Sequence, residues 1–255
     1  TGLLEGLAGE DVALARISAD ALSVEAGRGA SLDAVTVATA LTLEAEGDVG
    51  LSQVAAATLD ARAGGDMRWT DVTAQEAEGR APTGDLTLIR VTADTASLTA
   101  ETLSISDSDF GTLQASAGVS AALDGVRAEA ASVDAGAGAT LSAVEAGTLT
   151  VTALDSVSLT DVQAGTLSTL AGLGFAWTDV TVEGAAVGEA WNGGVTLSGV
   201  SAAEATIRAR GDATVDGSGF GTLSLTALGD ATLRDVNGGT LVVFAGRDFG
   251  GEGGS

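Results

Sequence analysis

An apolar side chain returns about every eighteen residues along nearly the whole chain. It falls at Leu14, Leu32, Leu51, Trp69, Leu88, Ile105, Leu123, Leu141, Leu159, Trp177, Leu197, Val215 and Leu233. Eight of the twelve intervals are eighteen, and the others lie between seventeen and twenty. A period of this length marks a solenoid, whose repeats bury their apolar faces only by stacking on one another.

The pattern inside each repeat selects β over α. In the coil at Leu141 the apolar or small positions are Ala139, Leu141, Val144, Ala146, Leu149, Val151 and Ala153. Steps of two are the alternation of a strand. Steps of three mark tight corners at which the next side chain still turns inward. Asp161, Asp179, Gly199, Gly217 and Asp235 stand at the first corner, and Gly147, Gly165, Gly221 and Gly239 at the second. Gly tolerates positive φ, and Asp bridges to nearby backbone, so both suit corners. A third, longer corner carries pairs such as Gly47-Asp48, Gly65-Asp66, Gly84-Asp85 and Gly193-Gly194.

The expected fold is therefore all-β. It is a single-stranded parallel β-helix with three faces and about thirteen coils of roughly eighteen residues, stacked about 4.8 Å apart. The two-and-three step pattern favours a right-handed helix over a left-handed hexapeptide helix, whose inward positions step by two and four. An amphipathic helical fold is disfavoured, because Thr, Val and Gly occupy places where a 3.6 period needs helix formers. The solenoid is expected over residues 1–249 and a Gly-rich flexible tail over 250–255. Leu4, Gly6 and Ala8 fit the third face of a preceding coil, and no capping helix comes before them. The expectation is a segment of something longer, or a protomer whose open ends stack on other copies.

Composition removes whole classes of chemistry. There is no Cys, His or Tyr, and all eleven basic residues are Arg. Imidazole bases, thiol nucleophiles, Schiff-base lysines and conventional zinc or copper sites are thereby excluded. A net charge of −24 opposes nucleic acid and anionic membranes as partners. No apolar run approaches the ~20 residues that span a bilayer. Parallel β-helices that act on polysaccharides need acids beside basic groups on long loops; here the corners are short, and no enzyme is expected.

Gly84-Asp85-Leu86-Thr87-Leu88 and the stretch from Ala146 through Gly147-Thr148-Leu149-Thr150-Val151-Thr152 to Ala153 resemble the repeats of filamentous-haemagglutinin-like adhesins and autotransporter passengers. The resemblance covers nearly the whole chain, through a motif of low information. It implies a secreted or surface-displayed bacterial protein, a structural stalk or adhesin shaft whose partner is a surface glycan or protein. No secretion domain, autochaperone segment or membrane barrel is recognisable within these 255 residues.

Three candidate surfaces follow from the columns that stacking creates. Asp48, Asp66 and Asp85, and again Asp212, Asp230 and Asp248, would stack carboxylates that need compensation by calcium or by backbone N–H groups. Thr148, Thr150, Thr152 and Thr166, with Thr222, Thr226 and Thr240, line the outward side of the third face. A flat Thr array can order water, which suits ice or mineral binding, although Thr also simply favours exposed strands. Trp191, in a lengthened corner, is expected outside, where it could meet sugar or protein; Trp69 and Trp177 are expected in the core. The coil after Trp69 lacks its usual Leu and Val and holds Pro82, the one proline, so a bulge or frayed face is expected there.

Overall fold

A computed structural model describes residues 2–252. The chain is an all-β parallel solenoid of about fourteen turns, about eighteen residues apart. No helix occurs among the described residues. The backbone forms two compact units, residues 1–130 and 131–255.

In the first unit single long strands run through successive corners, as in Val49–Ala63, Met67–Ile89, Thr92–Ser106 and Asp109–Asp124. In the second, short strands such as Gly138–Ser142 and Ser156–Thr160 alternate with longer ones such as Glu145–Ala153 and Gln163–Ala171. In both, each residue pairs with its equivalent one turn on. Leu14 lies beside Leu32, Leu32 beside Leu51 and Leu51 beside Trp69 in the first unit. In the second, Leu141, Leu159, Trp177, Leu197, Val215 and Leu233 form one column.

The inward set at Leu141 is buried as expected, from Ala139 through Leu141, Val144, Ala146, Leu149 and Val151 to Ala153. Full burial of a Leu or Val contributes roughly 1.5–3 kcal/mol, so the stacked columns carry the stability. The count rises from thirteen turns to about fourteen because the ladder continues into Phe249–Glu252, where Gly251 pairs with Leu233. A glycine at the anchor position escapes any search for apolar residues. This strand also takes in three residues of the stretch expected as a tail; residues 253–255 lie outside the described ones.

The first corner is set by one residue per turn with a left-handed backbone, two positions after each anchor. It is Asp at 71, 107, 161, 179 and 235 and Gly at 125, 199 and 217, but also Arg16, Ala34, Gln53, Arg90 and Ala143. The second-corner glycines were expected to serve a positive φ, and that is corrected: none of Gly147, Gly165, Gly221 and Gly239 has one. Their use is proximity. A Cβ on Gly165 would lie 2.5 Å from the Gly147 carbonyl oxygen, and one on Gly221 the same distance from that of Ala203.

The coil after Trp69 keeps its face. Ala77, Gly79 and Ala81 are buried, so the expected fraying is absent. A bulge does form nearby: Ala81 pairs with Ala100 and Asp85 with Thr102, so residues 82–84 stand opposite Glu101 alone. Exposed Pro82 sits there, where no ladder hydrogen bond is asked of it, and the Thr83 hydroxyl donates to the Gly64 carbonyl at 2.8 Å. The small inward residues are explained by the indole of Trp69, whose edge reaches to 3.1 Å from where a Cβ on Gly79 would lie. The second unit repeats the exchange, with the Phe175 ring filling the place of a side chain at Gly188.

Candidate functional site

The third corner solves an electrostatic problem with backbone groups. Oδ1 of Asp48 accepts the amide N–H of Asp66 at 2.9 Å, and Oδ1 of Asp66 accepts that of Asp85 at 2.9 Å. Asp212 and Asp230 do the same for the amides of Asp230 and Asp248, at 2.8 and 3.1 Å. Four of the six carboxylates, those of Asp48, Asp66, Asp212 and Asp230, are thus bound by a backbone N–H of the next turn. Charge-assisted bonds of this kind are stronger than those between neutral groups. In the second unit Arg247 adds positive charge, 3.4 Å from Asp212 and 3.8 Å from Asp230.

The Gly-Asp pair now has a cause. A Cβ on Gly65 would run into the Asp48 carboxylate, and one on Gly229 into that of Asp212. Glycine clears the path by which the lower Asp reaches the upper amide. With the carboxylates so directed, no group of three or more acidic residues converges on a metal position among the described residues.

On the third face Thr148 pairs with Thr166, their hydroxyls 3.4 Å apart, and Thr150 with Ser168. Thr152 lies beside Leu170. Farther along, Thr222 pairs with Thr240, while Thr226 lies beside Phe244. Between these patches Ser168 meets Val187, Glu189 meets Arg208, and the register slips between Val182 and Ala185. The Thr residues therefore form two patches rather than one lattice. Trp191 lies outside as expected, 48% exposed, and Trp69 and Trp177 are fully buried.

The same face of the first unit carries an open groove of about 560 Å³, lined among others by Thr58, Asp60, Glu76, Glu78, Thr95 and Gln114. Arg62 pairs with Asp60, and Arg80 with Glu78, along its border. Each pair lies within one strand, so these charges are spent locally.

Two inward serines escaped the sequence reading. Ser108 and Ser218 stand where most turns place Val after the first corner. Their hydroxyls accept the amides of Val91 and Val200 at 3.0 and 3.1 Å and donate to the carbonyls of Ser106 and Asp216. The signal was present, as a polar residue in a Val column, but its partner lies a full turn away.

No known protein family, curated protein or solved structure matches the chain. What the fold defines is a class: a parallel β-solenoid whose polar corner groups bond from turn to turn.

Proposed function

We propose that the chain is a non-catalytic structural segment of a secreted or surface-displayed bacterial protein, serving as a stalk or adhesin shaft. The observation that carries this reading is the use of the corners. Even there, amides and carboxylates are committed to the adjacent turn, as Asp48 is to Asp66 and Asp66 to Asp85. Groups directed this way contribute to cohesion between turns and leave few to converge on a substrate. Stability in such a stack is close to a sum of nearest-neighbour terms, so load is shared along the ladder.

The test is negative-stain electron microscopy of the purified chain, paired with single-molecule pulling. Isolated particles that unfold in steps of whole turns at high force support a load-bearing segment. Long filaments would replace it with end-to-end assembly of copies, and turnover of a polysaccharide would overturn the non-catalytic reading.

A further inference from the structure

We propose that the first face of the second unit is an ice-binding surface, a function beyond the structural role above. Its outward residues come in pairs two apart on successive short strands: Thr140 and Ser142, Ser158 and Thr160, Thr196 and Ser198. The strand between the last two contributes Ala176 and Thr178, and the next contributes Thr214 and Asp216. The registers are unbroken, with Thr140 beside Ser158, Ser142 beside Thr160 and Thr160 beside Thr178. Thr178 then lies beside Ser198, and Thr196 beside Thr214. Unlike the third face, this one has no slip in its ladder.

Three properties point to ordered water as the occupant. Strand spacing fixes the lattice at about 4.8 Å along one direction and, for residues two apart, about 6.7 Å along the other. These repeats are near those of the oxygens on the prism faces of ice. Charge is sparse: in a chain of 35 acidic and 11 basic residues, the positions from Thr140 to Thr214 carry none, and Asp216 at the end of the patch lies beside Arg234 on the next turn. A neutral hydroxyl surface complements a neutral lattice and offers nothing to a charged partner. Finally, none of these hydroxyls bonds to another protein group among the described residues, which leaves them to solvent.

The surface is also held still. Directly behind it lie Val157, Leu159, Phe175, Trp177, Val195 and Leu197, all buried, with the Phe175 and Trp177 rings 5.0 Å apart. Thr160, Thr178 and Thr214 are half-buried and Thr140 and Thr196 exposed, so water meets methyl and hydroxyl groups on one face. The first unit lacks the pattern, since Gly50, Arg68 and Ile89 interrupt the corresponding positions.

The test is ice growth in a nanolitre osmometer with the purified chain, together with recrystallisation inhibition. The expected result is faceted crystals with a measurable thermal hysteresis, abolished in Thr160→Arg/Thr178→Arg. Ser116→Arg, an exposed change in the first unit, should leave it intact. Circular dichroism checks folding, and Thr196→Arg reads the same face if the double variant fails to fold. No hysteresis and no inhibition from the unaltered chain would overturn the proposal, as would full activity in both Arg variants. Adsorption to crystalline polysaccharide with no effect on ice would overturn it in favour of a glycan surface.

Discussion

Arg90 and Asp71, nineteen residues apart, occupy successive first corners and meet as a fork, with Nε to Oδ1 at 2.6 Å and Nη2 to Oδ2 at 3.0 Å. Both have a left-handed backbone, at φ of 53° and 55°. The corner conformation that each adopts at some cost is what aims the two side chains at one another. The hydrogen bond from Arg90, reinforced by its charge, holds the Asp71 carboxyl below the usual carboxylate range.

That depression fixes the sign of a pH effect. A carboxyl lowered in the folded state adds stability above its unfolded value and loses it as pH falls through the folded one. Asp71→Asn should therefore lower the melting temperature at neutral pH, with the difference closing under acid conditions. Because both groups are exposed, added salt should also shrink it. A difference that persists in acid would mean that packing, not charge, is at work.

At the third corner, Asp48→Ala removes the acceptor of the Asp66 amide and should cost about 1 kcal/mol. Gly65→Ala should destabilise too, because its Cβ meets the Asp48 carboxylate. Combined, the two changes should cost less than the sum of the single costs, since the carboxylate that obstructs the new methyl is gone. Urea denaturation of the four proteins in the cycle measures the coupling.

Trp69→Leu empties part of the core and should cost about 3 kcal/mol, within the range for shortened buried aromatics. Gly79→Ala alone crowds the indole and should also destabilise. Together they should recover part of the loss, because the methyl fills space that the ring has left. Thermal melts of the two single variants and the pair decide this.

Ala143 carries a φ of 51° on a first corner where eight of the other twelve described turns use Gly or Asp. Relief of the left-handed penalty, offset by glycine's greater unfolded freedom, should make Ala143→Gly more stable by roughly 0.5–1 kcal/mol. Ala146→Gly, on an ordinary strand backbone, should be destabilising, and the contrast is read by the same melts.

How much of this was legible in the sequence depends on how far apart the interacting residues lie. The inward set from Ala139 to Ala153 was visible because neighbouring residues state it through steps of two and three. The reason for Gly before Asp was not, since Gly65 answers to the Asp48 carboxylate, seventeen residues earlier. The coil that holds Gly79 was expected to bulge or fray because the group that fills its interior, the Trp69 indole, reaches it from across the core. The left-handed corners at Arg16, Gln53 and Arg90 give no local sign, since the neighbouring turns impose a conformation that those side chains do not favour. The Thr patches were visible as composition, but the slip that lies between them, from Val182 to Ala185, became plain only with the register.

The one-turn register has a consequence for how such a chain tolerates change in length. Residue 141 meets 159, and 159 meets 177, so these ladders are written in increments of eighteen. Excising residues 142–159 would put Leu141 in the place of Leu159, beside Trp177, with each column still in phase. Losing only Thr150 would instead turn every later side chain of its strand to the opposite face. For this architecture a large deletion is a gentler event than a small one, and its gene can be expected to lengthen and shorten by whole turns.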